Sequence, residues 1–574
     1  MELGRRETSG RGTRFYTPLL PYLCALIASF FAAGIFESLR AFAGACLLVA
    51  AALFISESCA SLAADCFEMA ERRAATIRKI RFAARLAGVF ALGVWYFYFR
   101  VPPNPYADLA PRRAHVEAVV DEVSRGVNDS RYGIATITKA PYFAPNAVGH
   151  KMWFTVSDGK NASTPNTDFV VSQKVSFDGV LSAVYPSEPK SRGFNASKSE
   201  GRAFEKYLRS RFIYFKMSSR VADASVLECE SWRFGFYEAV RKYAERSLSA
   251  FPSDSRADSE AARTYRAMIL GDKSLLTADQ KRNFMDTGTM HVFAISGLHV
   301  GFAAAVLYGA LAAVGVGRRF QPFVALPALY LYVCACGARP SAMRAFGMVA
   351  LVWLALALSR GMRPFGALVL AATIAVIAAP QTVFDAGFGL SYAIVASIFV
   401  YSVPLYGYLS GLGRRELSGG KISAFGNFAA WAKSYFLGAF CISLGAMFAA
   451  APLGAHYFSY FSPMSVLYSP VFVGGAGFAV GLGFAGFAVP NFIACALNSV
   501  AAWIVGAMSA WAKFCAEIWS GRVDFPLPNA LAAYSAVAVF LVVSAFCSDF
   551  KNAFLRFGLA PLLAASIMLL FENV

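Results

Sequence analysis

Two histidines and a serine lie close together in the segment DTGTMHVFAISGLHVG, which runs from Asp286 to Gly301. On an ideal helix, His299 lies about 80° and Ser296 about 140° around the axis from His291, so one broad face would carry all three. Their spacing matches no known set of metal ligands, and AISGL is not the sharp turn that exposes a hydrolase serine. We therefore expect no catalytic residues and no cofactor. Two roles stay open: lining a pore, or hydrogen bonding between helices.

The composition indicates which elements must position these residues. The chain has 574 residues, of which 57% are hydrophobic and only 15% are charged, whereas about 25% charged residues is usual for soluble proteins. Apolar runs of roughly 20 residues, the length needed to cross a bilayer, recur along the sequence. The pattern predicts a polytopic α-helical membrane protein in contact with membrane lipid. Lys and Arg in cytoplasmic loops account for the net charge of +18.

Thirteen apolar segments are candidate membrane spans, three within residues 1–100 and ten within residues 289–574. The first three are near 19–37, 41–56 and 83–99. If the spans cross in strict alternation, the clusters of Lys and Arg between them all fall on one side of the membrane. The positive-inside rule makes that side the cytoplasm and places the N-terminus there. The same rule places residues 101–230 and the C-terminus on the outer, periplasmic side. We therefore predict N-terminal spans in 1–100 and a larger transmembrane domain in 289–574.

Residues 101–230 have a different pattern, because short alternating runs such as YGIATITKA and KMWFTVSD are separated by Gly, Asn, Asp and Pro. These runs predict a small exported antiparallel β-domain of the size of a five-stranded barrel. The later run RAFEKYLRSRFIYFKM predicts a basic helix or a helix–strand piece. Residues 231–288 predict amphipathic helices, which would lie along the outer membrane face or pack on the bundle.

Four polar stretches rich in Gly or Pro fall at the outer ends of the predicted spans. They are DTGTMHVFAISGLHV, GARPSAMRA, PQTVFDAGFGLS and APLGAHYFSYFSPMS. Irregular backbone at membrane depth is tolerated only where it is buried in protein or lines a water-filled cavity. We therefore predict a polar vestibule, or pore mouth, that opens to the outside. Its candidate residues are Asp286, His291, Ser296, Gly297, His299, Arg339, Ser341, Arg344, Asp385, Ser391 and His456.

The charged and aromatic residues of these stretches each allow two roles. Arg339 and Arg344 suit phosphate recognition, or a salt bridge with Asp385 or Asp286. A polyanion would repel Asp385, so this residue is expected to cap the following helix or to pair with an arginine. The aromatic residues of HYFSYFSP suit base stacking or an aromatic belt at the membrane interface. The three glycines of DTGTMHVFAISGLHVG would let neighbouring helices approach closely.

The segment MILGDKSLLTADQKRNFMDTGTMHVFAISGLHVG, followed in order by GARPSAMRA, DAGFGLSYA and HYFSYFSPMSVL, resembles the ComEC-type competence proteins. These are inner-membrane channels for DNA uptake in natural transformation. The resemblance covers about residues 20–500 clearly and the last spans weakly. It implies that residues 101–230 form an exported OB-like barrel and that the helical bundle passes one DNA strand inward.

The resemblance also implies partners, and the sequence departs from many of these relatives in one respect. Single-stranded DNA would be the cargo, with an outer DNA receptor and a cytoplasmic ATP-driven motor, and homo-oligomerisation stays open. The sequence has no G-x-x-x-x-G-K-[ST] loop, so this chain is not expected to supply the driving force. Many relatives carry a metallo-β-lactamase-like nuclease domain, but this sequence has no H-x-H-x-D-H cluster, and DNA degradation by it is not expected. Two other functions remain: a transporter of a smaller anionic solute, or a membrane-embedded enzyme that uses the His/Ser cluster.

Overall fold

The computed structural model describes most of the chain between Leu19 and Phe571. The described residues are 19–35, 71–100, 109–125, 130–157, 169, 173–184, 208, 211, 213–227, 232–253, 256, 258–295, 297–358, 364–413, 424–519, 521–547 and 552–571. The chain divides into two compact units. The first unit comprises Met1–Asn104, Ser210–Phe212 and Arg363–Gly389, and the second comprises the remaining segments.

Seventeen α-helices occur within these described ranges. In chain order they are α1 (Leu20–Ile35), α2 (Glu71–Arg100), α3 (Trp232–Leu248), α4 (Glu260–Leu270), α5 (Ala278–Asp286), α6 (Gly297–Ala313), α7 (Gln321–Ala335), α8 (Pro340–Ala357), α9 (Pro364–Ala378), α10 (Ala386–Ser397), α11 (Val403–Gly413), α12 (Ala424–Phe458), α13 (Ser465–Gly486), α14 (Asn491–Ile518), α15 (Ala530–Cys547), α16 (Ala553–Phe557) and α17 (Leu559–Leu570). A π-helical stretch, Ile398–Ser402, joins α10 to α11.

The described helices confirm a polytopic α-helical membrane protein. Seven helical segments are long and apolar enough to cross a bilayer, and five shorter apolar helices accompany them. Each of the ten apolar segments predicted after residue 289 overlaps one of these helices. The predicted span near 41–56 lies outside the described residues.

The long helix α14 illustrates how side-chain size organises the bundle. Its inward face carries small residues, including the buried Ala494 and Ala501, whereas Phe492 and Trp503 point outward and are 76% and 73% exposed. Small residues let helix backbones approach closely, and large apolar side chains facing outward suit a surrounding of lipid tails. The pattern is the one expected of a helix in a membrane bundle.

The predicted five-stranded β-barrel is also confirmed. Its strands are β1 (Arg112–Arg125), β2 (Arg131–Lys139), β3 (Lys151–Val156), β4 (Lys174–Ala183) and β5 (Phe215–Val226). They close in the order β1-β2-β3-β5-β4, with β3 and β5 parallel and every other pair antiparallel, around a core that includes Phe154, Phe177 and Phe215. A closed five-stranded barrel has the architecture of an OB fold. The sequence prediction included only the first residues of β5, because most of this strand, SSRVADAS, is polar.

The amphipathic helices α3 to α5 pack on the bundle, which was one of the two predicted positions. The hydroxyl of Tyr265 on α4 donates a 2.9 Å hydrogen bond to Oδ1 of Asn498 on α14. Nδ2 of Asn498 donates to the carbonyl of Ser247 at 2.8 Å, and Nε2 of Gln280 on α5 donates to the Ser509 hydroxyl at 3.2 Å. These hydrogen bonds satisfy buried or partly buried polar groups where α3 to α5 face the bundle.

In the first unit, α1 packs against α2, and both contact the segment around Pro380–Phe384. The rings of Phe31 and Phe384 lie 5.0 Å apart. The hydroxyl of Tyr96 donates to the carbonyl of Ile377 at 2.6 Å. These contacts hold the end of α9 and the start of the PQTVFDAGFGLS stretch within the first unit.

Candidate functional site

A compact non-helical turn connects α5 to α6. Gly288 has a left-handed φ of 70°, and its carbonyl accepts a 3.0 Å hydrogen bond from Nδ1 of His291. The hydroxyls of Thr287 and Thr289 are 2.8 Å apart and buried. Phe293 is buried against Phe284, with ring centroids 4.6 Å apart. The turn is therefore fixed by its own polar contacts and by one aromatic anchor.

The polar stretch that precedes α13 meets this turn at Gly288. A Cβ placed on Gly288 would lie 2.7 Å from Cβ of Ser462 and 2.9 Å from Cβ of Ser465. Real Cβ atoms do not approach so closely, so only glycine fits here. The close approach predicted for glycine is confirmed at this position.

The start of α8 meets the same turn from another side. The Ser341 hydroxyl donates a 2.6 Å hydrogen bond to the carbonyl of Ile295. A Cβ on Gly297 would lie 3.7 Å from Cβ of Ala345, which is an ordinary contact. Within the described part of the chain, Gly301 has no neighbour within 4 Å of a built Cβ, so the prediction that it brings helices together is wrong.

The two histidines of the opening motif do not share one helix, so the predicted common face is wrong. His291 lies in a 3-10 turn, Met290–Phe293, and α6 begins at Gly297. The turn interrupts the helix because the backbone at Ala294 is extended. His299 is buried on α6 at 1% exposure. Ser296 lies outside the described residues.

His291 is locally exposed but surrounded by protein at longer range. Its side chain is accessible to solvent, yet desolvation by the surrounding protein lowers the pKa of the imidazole, against the opposing effect of its bond to the Gly288 carbonyl. The exposure reflects the immediate surface of the side chain, whereas desolvation reflects the many protein atoms farther away. The imidazole is therefore exposed at the α5–α6 turn, within a densely packed part of the protein.

Among the described residues, the arginines of GARPSAMRA do not form the predicted salt bridge with Asp286. Asp286 lies 3.8 Å from Nε of Arg282, one turn earlier on α5. Among the described residues, no carboxylate lies within ion-pair distance of Arg339. Arg344 is close enough to Tyr392, which follows Ser391 on α10, for an electrostatic interaction.

Asp385 has both roles that were predicted for it. Its carboxylate accepts a 3.1 Å hydrogen bond from the backbone N–H of Gly387, in the first turn of α10. It also lies 3.9 Å from Nε of Arg211 within the first unit. Asp385 therefore stabilises the beginning of a helix, where a negative charge is favoured by the helix dipole.

His456 and the aromatic residues after it lie at the end of α12. Nδ1 of His456 donates a 2.9 Å hydrogen bond to the carbonyl of Leu527, and the ring is buried. Beyond it, strands β6 (Tyr460–Phe461) and β7 (Val523–Asp524) pair as a two-stranded ribbon. The guanidinium of Arg522 lies 4.3 Å from the centre of the Tyr460 ring. His456 therefore anchors a loop, and Tyr460 presents a ring to a cation.

Sequence analysis missed two residues near Arg339. Lys273, in a 3-10 turn after α4, and Tyr132, on β2 of the barrel, are both close enough to Arg339 for electrostatic interaction. The position of Lys273 between the apolar runs MIL and LL was a usable signal. The sequence carries no such signal for Tyr132, because its place beside Arg339 depends on how the barrel packs.

In the part of the chain that the structure describes, no group of three His, Cys, Asp or Glu residues has a geometry that could hold a metal ion. The polar residues around the α5–α6 turn are thus hydrogen-bonding groups, cations and aromatic rings.

Comparison with known proteins adds the family. The competence protein family matches residues 268–566, which is more than half of the chain and includes the α5–α6 turn, the start of α8 and the end of α12. The chain is 28% identical over 201 residues to ComE operon protein 3 of Bacillus subtilis (strain 168), an alignment that covers 35% of this chain and 25% of that relative. The chain thus aligns with a quarter of that relative's length, and no solved structure matches it. By the extent of the family match, this chain belongs to the competence protein family.

Proposed function

We propose that this protein takes part in DNA uptake for natural transformation, as a channel that passes single-stranded DNA into the cytoplasm. Membership of the competence protein family supports the role in uptake. One observation carries the channel proposal: polar stretches from the start of α8 and from the segment before α13 meet at the irregular α5–α6 turn, where the His291 side chain is exposed. Irregular polar backbone at membrane depth is tolerated where it is buried in protein or lines a water-filled cavity, and the exposure of His291 favours the cavity.

The site suits a sequence-independent cargo. Arg339 and Lys273 supply positive charge for phosphates, and Tyr460 and other rings supply surfaces for bases. Binding that depends on phosphate charge and on stacking does not discriminate between sequences. Asp385, which a polyanion would repel, is occupied with capping α10 and with Arg211.

The proposal includes an orientation in the inner membrane. The N-terminus lies in the cytoplasm, and the barrel and the C-terminus lie on the periplasmic side, because the basic loops alternate accordingly. The proposed domains are spans in 1–100, the exported OB-like domain in 101–230, amphipathic helices in 231–288 and the channel in 289–574. An outer DNA receptor and a cytoplasmic ATP-driven motor would be partners.

The orientation is tested by thiol labelling of intact cells, in a variant without native cysteines. Tyr142, in the connection between β2 and β3 of the barrel, is 93% exposed. Val314, directly after α6, is 82% exposed. A cysteine at position 142 should react with a membrane-impermeant reagent from outside, and one at 314 should react only after lysis. The reverse pattern would contradict the proposed vestibule.

Passage of DNA is tested with purified protein in vesicles. The vesicles contain a single-strand-binding protein, which traps any strand that enters and so replaces the motor. A labelled single-stranded oligonucleotide should become resistant to external nuclease in these vesicles and not in protein-free ones. The same sequence as a duplex should stay sensitive.

The same vesicles separate the two other candidate functions. Faster uptake of a small anion than of the oligonucleotide would favour a solute transporter. Cleaved oligonucleotide in the presence of the purified chain, lost when His291 and His299 are replaced, would favour an enzyme.

A further inference from the structure

Three elements of the second unit come together around Arg339. Arg339 directly precedes α8. The 3-10 turn Lys273–Leu275 contacts β1 of the barrel. Tyr132 on β2 is close enough to Arg339 for electrostatic interaction. The outer surface of the barrel, the segment after α4 and the start of α8 therefore border one place.

The barrel contributes a pair of stacked aromatic rings at this place. The rings of Tyr132 and Trp153 have centroids 5.4 Å apart and an angle of 28° between their planes. Both residues are half-buried and alternate with interior residues such as Ala135 and Phe154, so they lie on the outside of the barrel. Nε1 of Trp153 donates to the Thr155 hydroxyl at 3.2 Å, which fixes the indole. The pair is a rigid, flat surface that keeps part of its area open.

The helical part contributes two cations, Lys273 and Arg339. The Lys273 side chain is exposed, yet desolvation by surrounding protein, followed by the charges of Arg339 and Lys281, lowers the pKa of its ammonium group. Asp272, which precedes Lys273 in the chain, lies 3.9 Å from Arg241, and its charge also reaches Tyr132. Like charges held together cost free energy, and an anion bound between them recovers it.

We propose that Tyr132, Trp153, Lys273 and Arg339 form a binding subsite for single-stranded nucleic acid. A base stacks on the Tyr132–Trp153 pair, and neighbouring phosphates lie against the Lys273 ammonium and the Arg339 guanidinium. Aromatic stacking accepts any base, and the guanidinium fork fits phosphate oxygens. The subsite rests on the proposed function, because it would receive the strand before the strand meets the α5–α6 turn.

The test uses the purified full chain in detergent and a fluorescent oligo-dT, with binding followed by anisotropy at several salt concentrations. Tyr132→Ala should weaken binding about tenfold, because one stacking contact is lost. Arg339→Gln should weaken binding and flatten the slope of log affinity against log salt by about 0.7, the value for one phosphate contact on a single strand. Tyr132→Phe keeps the ring and should bind as the unchanged protein does.

Two matched controls lie elsewhere on the chain. Tyr142→Ala removes an aromatic ring that is 93% exposed, and Arg318→Gln removes an exposed cation after α6. Both should leave affinity and salt slope unchanged. An oligonucleotide of abasic sites separates base stacking from phosphate binding. Tyr132→Ala should not change its affinity, whereas Arg339→Gln should still weaken its binding.

The outcomes separate this subsite from the proposed function. If the unchanged chain binds and passes single-stranded DNA but Tyr132→Ala and Arg339→Gln bind as tightly, the subsite is wrong and the channel stands. If the controls Tyr142→Ala and Arg318→Gln lose as much affinity as Tyr132→Ala and Arg339→Gln, the effect is general and the subsite is also wrong. If the unchanged chain neither binds nor passes the strand, both proposals fail.

Discussion

The hydroxyl of Ser341 donates a 2.6 Å hydrogen bond to the main-chain carbonyl of Ile295, and this bond joins two segments that are 46 residues apart. Ile295 lies in the extended connection just before α6, and Ser341 lies in the first turn of α8. A Cβ on Gly271 would collide with Ile295 at 2.5 Å, so the connection is also packed from the end of α4. The α5–α6 turn is therefore positioned by contacts with separate parts of the bundle.

Replacing Ser341 with alanine should loosen the α5–α6 turn. The carbonyl of Ile295 would lose its donor, which costs about 1 kcal/mol of stability for a hydrogen bond of this kind. We expect a lower unfolding temperature in detergent and reduced DNA uptake in a transformable host. Ser566→Ala is the control, because Ser566 donates within its own helix, to the carbonyl of Leu562. Equal effects of the two variants would show that the bond to Ile295 has no special role.

The acid stability of the barrel should depend on Glu117. Its carboxylate accepts hydrogen bonds from Lys174 at 2.6 Å and Lys139 at 2.9 Å, and these bonds lower its pKa from an ordinary 4.5 to about 2. Because the folded-state pKa is depressed, the stabilisation is complete above pH 4.5 and is lost as the pH falls towards 2.

Glu117→Gln should remove this part of the pH dependence. Hydrogen exchange of the barrel strands, corrected for the intrinsic effect of pH, should show opening that increases between pH 4.5 and 2 in the unchanged chain and changes less in the variant. Glu260→Gln, on α4 outside the barrel, is the control and should behave like the unchanged chain. An identical pH profile for Glu117→Gln would contradict the assignment.

Much of the fold could be predicted from the sequence because apolar length and strand alternation are local properties. The ten apolar segments after residue 289 and the first four strands followed directly from such patterns. Strand β5 could not be predicted in full, because its polar residues gain their place by pairing with β3 and β4. The break between His291 and α6 was missed for a similar reason: the turn is held by Ser462, Ser465 and Ser341, which are distant in sequence.

The candidate site was predictable only as a set of polar stretches. Composition indicates that the α5–α6 segment, GARPSAMRA and the end of α12 need polar surroundings, and these three meet. Pairings between individual side chains depend on side-chain direction, which a linear pattern does not give. Asp286 therefore lies near Arg282 on its own helix instead of near Arg339 or Arg344.

Asn498 should be a stability determinant of the packing between α4 and α14. It is buried at 1% exposure, accepts from Tyr265 at 2.9 Å and donates to the carbonyls of Ser247 and Ala250 at 2.8 and 3.1 Å. Asn498→Ala would leave these groups without their partner, at a cost of about 1–3 kcal/mol. Thermal unfolding of the single variants and of the Asn498→Ala/Tyr265→Phe pair measures the coupling.

The two replacements should be less than additive, since both remove the same hydrogen bond. The control is Ser499→Ala, whose hydroxyl donates to the carbonyl of Cys495 within α14. Strict additivity of Asn498→Ala and Tyr265→Phe would mean that the bond between them contributes no stability.

Gly297 should be sensitive to bulk because it begins α6 at the proposed mouth. A Cβ there meets only Cβ of Ala345, at the ordinary distance of 3.7 Å, so Gly297→Ala should fold and take up DNA nearly normally. Gly297→Leu extends past this contact at the start of α6, which the proposed function places at the mouth of the path. We expect it to lower DNA uptake at least tenfold while the amount of protein in the membrane stays nearly unchanged.

Gly309→Leu is the matched control. Gly309 is on the same helix, about 18 Å deeper at the usual rise per residue, and a Cβ built there has no described atom within 4 Å. Leu307→Phe, also on α6, should likewise have much less effect. If Gly297→Leu supports normal uptake, or if Gly309→Leu blocks it equally, the start of α6 does not line the path, and its polar neighbours serve only to join helices.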